Sequence, residues 1–157
     1  MIPAAASAAL LVVALAGCAP DMAVTGGAVD AAAGAATDPN APAGVPEVCL
    51  DTFATALAAA SLDDLALLPP DWPEPVTGST LCVTSETVGG SRESAEYATD
   101  ADAAAVLAHF EQALPAEYAA VRTEGAFGDE VLTGTAGDVV FEIGTGDGRF
   151  SIDLLAE

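Results

Sequence analysis

Apolar and polar positions alternate with different periods along the chain, and the periods mark out its elements. Leu50, Phe53, Ala54 and Leu57 fall at i, i+3, i+4 and i+7, one face of a helix running to about Ala60. Ser61-Leu62-Asp63-Asp64 reads as a cap followed by a restart of one short turn. Residues 69–75, Pro-Pro-Asp-Trp-Pro-Glu-Pro, forbid regular structure and favour an extended polyproline conformation. Residues 81–88 and 92–99 flank Gly89-Gly90, the signal of a hairpin with a two-residue turn. Asp100-Ala101-Asp102 supplies acidic caps for a helix over residues 101–114, stopped by Pro115. Its apolar face is Ala103, Val106, Leu107, Phe110 and Leu114.

Four strands are predicted beyond it, over residues 118–123, 130–135, 139–143 and 149–155. Glycine-bearing turns separate them at 125–128, 136–138 and 144–148. In the last strand Phe150, Ile152 and Leu154 alternate with Ser151, Asp153 and Leu155, the pattern of a sheet with one buried face. The order helix, hairpin, helix, meander predicts an α+β domain, an antiparallel β-sheet with helices packed on one face.

Ahead of the domain the pattern changes. Residues 4–16 are a run of small and apolar side chains, of a length suited to the h-region of a signal peptide and too short to span a bilayer. The run closes on Leu15-Ala16-Gly17-Cys18, which resembles the lipobox of bacterial lipoprotein signal peptides. The resemblance implies cleavage before Cys18 and attachment of diacylglycerol to its thiol, with acylation of the freed amine. Two chains suffice for stable anchoring, each buried methylene contributing about 0.8 kcal/mol. The chain departs from the family in lacking Lys or Arg at Met1-Ile2-Pro3, its first basic residue being Arg92. An upstream start carrying a basic n-region is the expected explanation. The competing reading is an Ala-rich soluble N-terminus in which Cys18 is incidental.

Residues 18–46 consist almost wholly of Ala, Gly, Asp, Pro and Thr, with no aromatic side chain. Such a segment cannot bury enough apolar surface to offset its ordering entropy, so a disordered tether of roughly 30 Å mean span is expected. The organisation is then a signal peptide (1–17), a lipidated Cys18 with its tether (18–46), and one domain (47–157).

Charge narrows the partners. Twenty-four acidic residues face three arginines and no lysine, a net charge of −21 that falls outside the signal segment. A surface this acidic repels nucleic acid, anionic headgroups and anionic wall polymers. It is explained by solubility and a genomic bias, or by attraction to cations or a basic partner. The Ala/Gly/Asp-rich, lysine-free composition resembles that of high-GC actinobacteria, a halophilic source being the alternative.

With Cys18 assigned to lipid, Cys49 and Cys82 remain, free to pair outside the membrane. Their bridge closes a loop of about 34 residues and contributes about 3–4 kcal/mol. Two distant cysteines without a histidine cluster make no metal site, and no Cys-x-x-Cys redox pair exists.

Candidate chemistry is sparse. His109, the sole histidine, lies about 120° from the centre of the apolar face and reads as a surface bystander. The pairs Asp63-Asp64, Asp100/Asp102 and Asp129-Glu130 sit at predicted helix starts and turns, where carboxylates cap amides. Gly146-Asp147-Gly148 supplies a single carboxylate, too few for a calcium loop, and residues 144–148 lack the Lys-Ser/Thr of a phosphate loop. Trp72, held between prolines, is either an exposed anchor for a partner or sugar, or a cover over the open edge of the core.

Trp72-Pro73 before a hairpin, an Asp-capped helix, then Glu117-Tyr118 and a glycine-punctuated meander resemble small actinobacterial envelope lipoproteins of unknown function. That pattern brings no active site with it. The expectation is a lipid-anchored domain on the extracytoplasmic face of the cell membrane, acting as a non-catalytic binding or accessory module for an envelope protein partner, without cofactor, metal or nucleic acid. The alternatives are a carrier of a small apolar ligand and a carboxylate-based hydrolase.

Overall fold

The structure, a computed structural model, describes residues 42–157. Cys18, the signal segment and most of the tether lie outside the described residues. Six strands form one antiparallel sheet: β1 (Thr80–Glu86), β2 (Arg92–Ala98), β3 (Val121–Glu124), β4 (Glu130–Ala136), β5 (Val139–Gly146) and β6 (Arg149–Ala156). Their spatial order is β1-β2-β6-β5-β4-β3. The hairpin and the meander are thus joined into a single sheet by the pairing of β2 with β6, where Ala95 faces Ile152 and Tyr97 faces Phe150.

One face of this sheet carries the core. Phe141 and Ile143 of β5, Phe150, Ile152 and Leu154 of β6, and Ala95 and Tyr97 of β2 alternate inward and are buried. Against them packs α2 (Ala103–Ala113), with Val106, Leu107 and Phe110 fully buried. Burying each such side chain contributes about 1.5–3 kcal/mol. The helix starts where Asp102 accepts a hydrogen bond from the Ala105 amide at 2.8 Å, satisfying one of its free donors. Ala103, expected on the apolar face, is exposed.

Gly134 on β4 sits opposite Phe141. A Cβ there would lie 2.5 Å from the Phe141 ring and 2.6 Å from the Tyr118 carbonyl, so only glycine lets the ring cross β4.

The helix expected to run to Ala60 ends early. α1 spans Glu47–Thr52, Phe53 is already extended, and Leu57 is exposed. Tertiary packing overrides the helical period here. Cys49 is tied to Cys82 of β1 with Cα atoms 5.1 Å apart, and Phe53 and Ala56 are buried beside them. β1 registers Leu81 on Tyr97 but Val83 on Glu96, so Cys82 is the extra residue of a bulge. Cys82 turns with Val83 away from the core face, towards α1. The helices therefore do not share one face: α2 covers the core face and α1 one end of the other. This corrects the expected layering, and the sheet dominates the fold.

The short turn at Leu62–Asp64 forms as expected, with Ser61 Oγ accepting from the Asp63 amide. The strap that follows is fixed from below by Glu93 of β2, which is 1% exposed. Its carboxylate accepts from the amides of Ala66 (3.0 Å) and Leu67 (2.8 Å). The β1–β2 connection is five residues, 87–91, longer than the predicted two, and holds Gly89 and Gly90 at positive φ. Tyr118, expected to open a strand, closes a 3-10 turn at Ala116–Tyr118 instead.

Candidate functional site

The face of the sheet opposite α2 is polar over its centre. Register places Ser94 of β2, Asp153 of β6 and Glu142 of β5 in one cross-strand row. Glu96, Ser151 and Gly144 form the next row, and Arg149 and Gly146 face each other in a third. Neighbouring strands stand about 4.8 Å apart and successive same-face residues about 6.6 Å, so these rows tile a flat polar lattice. Phe53, just beyond α1, walls it at one end; the 125–129 loop, carrying Phe127, walls it at the other. The result is a trough of about 450 Å³.

Two of the chain's three arginines line it. Arg92 donates to Asp153 at 2.8 Å, and that hydrogen bond and charge hold its pKa above the ordinary arginine value. Ser151 Oγ donates to the second Asp153 oxygen at 3.1 Å, so both oxygens of this carboxylate are engaged. Arg149 has no acidic partner among the described residues; its guanidinium lies 5.9 Å from the Phe53 ring centroid. Glu96 and Glu142 likewise accept no hydrogen bond from a side chain among the described residues. Phe127 is 98% exposed at the lip.

Sequence reasoning passed over this surface because it read residues 144–148 as a turn. Gly144 and Gly146 in fact belong to β5 and point to one face. The signal was available in their spacing of two, followed by the polar alternation of Ser151 and Asp153.

Of the residues singled out from the sequence, Asp129, Gly144 and Gly146 line the trough, and the others among the described residues lie elsewhere. The Cys49–Cys82 disulfide is present, with both residues fully buried. Trp72 packs into the core rim rather than standing free: its ring lies 5.1 Å from Phe141, edge to face, and 6.3 Å and 6.4 Å from Phe110 and Tyr118. The indole Nε1 is buried without a hydrogen-bond partner. Tyr118 Oη donates to the Asp71 carboxylate beside it, so residues flanking the prolines are stitched to the core at two points. His109 is half-buried, its edge on Phe110 and its Nε2–H donating to the Glu74 carbonyl at 2.8 Å. No nucleophile or carboxylate joins it there.

Among the described residues no group of His, Cys, Asp and Glu is arranged to hold a metal ion, and no helix is long and apolar enough to cross a membrane. Comparison with protein-family models, with characterised proteins and with solved structures found no match.

Proposed function

We propose that the chain is a binding module, carried outside the cytoplasmic membrane on a lipid anchor at Cys18, whose working surface is the polar trough. The observation that carries the binding reading is the trough floor. A sheet with one face solvated usually carries a side chain at every outward position. Here β5 leaves the outward positions at Gly144 and Gly146 bare, among Glu96, Glu142 and Arg149, none of which forms an ion pair among the described residues. The lipobox-like Leu15-Ala16-Gly17-Cys18 supports the anchor. The buried Cys49–Cys82 bridge suits an oxidising, extracytoplasmic setting.

The space between sheet and α2 is filled by Phe110, Phe141, Phe150, Leu107 and Ile143, which leaves the apolar-carrier reading without support. A carboxylate hydrolase retains one observation in its favour: Glu142 and Asp153 face each other across β5 and β6. Asp153, however, is engaged at both oxygens, by Arg92 at one and Ser151 at the other, which fixes it as a structural partner of the floor.

A native mass spectrum of the full chain, extracted in mild detergent from its own host and then denatured, tests the proposal. The expected denatured mass corresponds to cleavage before Cys18 plus lipid, less two hydrogens for the bridge, with extra mass lost on denaturation. An unlipidated full-length mass overturns the anchor. A lipidated protein that never carries a partner or ligand, and yields none on crosslinking, overturns the binding reading.

A further inference from the structure

We infer that the trough takes a saccharide, a chain of polyhydroxylated rings about two units long; the inference rests on the reading of the trough as a binding surface. Three observations carry it.

The first is Gly144. Glycine inside a strand is destabilising relative to alanine and is kept where something forces it. Gly134 shows what forcing looks like, since a Cβ there would collide with Phe141 at 2.5 Å. Gly144 has no such neighbour. Its φ is not positive, and an added Cβ would meet only Ser151 Oγ, at an ordinary contact of 3.4 Å. The fold has room for a Cβ at 144, yet the chain leaves bare backbone in the middle of the floor. Bare backbone at the centre of a trough lets a flat ring lie close.

The second is the arrangement of charge. Glu96 sits diagonally across from Arg149 on the β2–β6 ladder, within reach of two long side chains, yet they form no ion pair. Instead Arg149 lies along Gly146, with Nε 3.4 Å from where a Cβ would stand. The floor thus offers strong acceptors at Glu96 and Glu142 and a strong donor at Arg149, spread over roughly 10 Å. A ligand complementary to it donates and accepts hydrogen bonds along its whole length and carries little net charge. Hydroxyl groups meet both demands. A phosphorylated or polyanionic ligand meets the repulsion of a chain with net charge −21. A polycation meets Arg92 and Arg149, set among Glu96, Asp129, Glu142 and Asp153, and is the competing occupant that the peptide below tests.

The third is Phe127, an aromatic ring with almost its whole surface open at the lip. Such a ring is a platform for the C–H face of a sugar, the apolar element that a polar floor lacks.

The test is titration calorimetry of the full chain with four probes, chitotetraose, cellotetraose, maltotetraose and arabinotetraose, each repeated on Gly144→Val and Phe127→Ala. Valine suits a strand, so Gly144→Val melts no lower than the parent while filling the floor. At least one probe binds with a Kd between about 10 μM and a few mM. Gly144→Val weakens that binding at least tenfold, and Phe127→Ala weakens it severalfold. Failure of all four probes at about 10 mM overturns the inference, as does a bound probe indifferent to Gly144→Val. A Lys-Gly-Lys-Gly-Lys peptide is titrated in parallel. If the peptide binds and Gly144→Val abolishes it, the saccharide falls while the binding module stands. The binding module also survives if no probe binds but the host-extracted parent carries a ligand mass that Gly144→Val lacks. If Gly144→Val alters nothing in either experiment, both readings fall.

Discussion

Glu93 Oε2 accepts a hydrogen bond from the Leu67 amide at 2.8 Å, across a sequence distance of 26 residues. With the second oxygen taken by the Ala66 amide, one buried carboxylate holds the strap that carries Leu65, Leu67 and Leu68 onto the sheet. Glu93→Ala would remove the acceptor of two partly buried amides, each unpaired donor costing about 1–3 kcal/mol. The expected loss is about 2–4 kcal/mol in urea unfolding. Glu93→Gln, which keeps one acceptor, costs less than Glu93→Ala. Equal losses would show that the carboxylate acts only by filling space.

Trp72 is committed to packing, and its orphaned Nε1 makes the two obvious substitutions diverge. Trp72→Ala empties the space between Phe110, Tyr118 and Phe141 and costs about 3–5 kcal/mol. Trp72→Phe loses area but removes a buried donor that has no acceptor, so it costs much less. The chain has a single tryptophan, and its emission reports the packing directly. A blue-shifted maximum that moves red on unfolding is expected; a red maximum in the native protein would place the ring in water.

Both tyrosines of the chain are held neutral by the fold. Burial is the main cause at Tyr97, with the charge of Glu74 adding to it, and the pKa is pushed up to about 12 from an ordinary 10. Burial also leads at Tyr118, reinforced by the hydrogen bond to Asp71 and by its charge, again to about 12. A raised pKa of this kind leaves the stabilisation complete below pH 10 and removes it as pH rises towards 12. Absorbance at the tyrosinate band therefore appears near pH 12 in the native protein, and near pH 10 in concentrated urea. Unfolding stability measured over the same interval falls. Tyr97→Phe and Tyr118→Phe each flatten part of that fall. A native titration near pH 10 would show both hydroxyls open to water.

Reduction of the Cys49–Cys82 bridge lengthens the free chain of the unfolded state by opening a long loop. A loss of about 3–4 kcal/mol is expected in the chain-entropy account, read as the difference in urea midpoint with and without reductant. The Cys49→Ala/Cys82→Ala pair loses a similar amount. No change in midpoint would mean that the burial of Phe53 and Ala56 alone fixes α1.

Much of this architecture is readable from residue order, where local and tertiary preferences agree. The helix at 103–113 combines an acidic cap, an apolar stripe and a following proline, and it forms within two residues of its expected bounds. β6 alternates cleanly, and β4 and β6 both match their predicted spans to within a residue. Agreement fails where a distant partner decides. Leu57 continues a helical period, but the bridge and the burial of Phe53 pull the chain straight, so Leu57 faces solvent. The pairing of β2 with β6 has no local signal, because any two alternating strands are compatible with it. The trough was hidden for the opposite reason: Gly144 and Gly146 carry the strongest local signal for a turn, and β5 runs through them.

The bulge at Cys82 has a consequence for the protein at high concentration. A sheet of six strands ends in two edges, here β1 and β3, and unpaired edges invite other chains to continue the ladder. Along β1 the bulge breaks the regular spacing of donors and acceptors, and α1 is bolted over the break through Cys49. β3 is only four residues long and carries Arg122, itself bridged to Glu111 and Glu130. Crowded side by side, copies of this domain meet edges too interrupted and too short to template fibril growth.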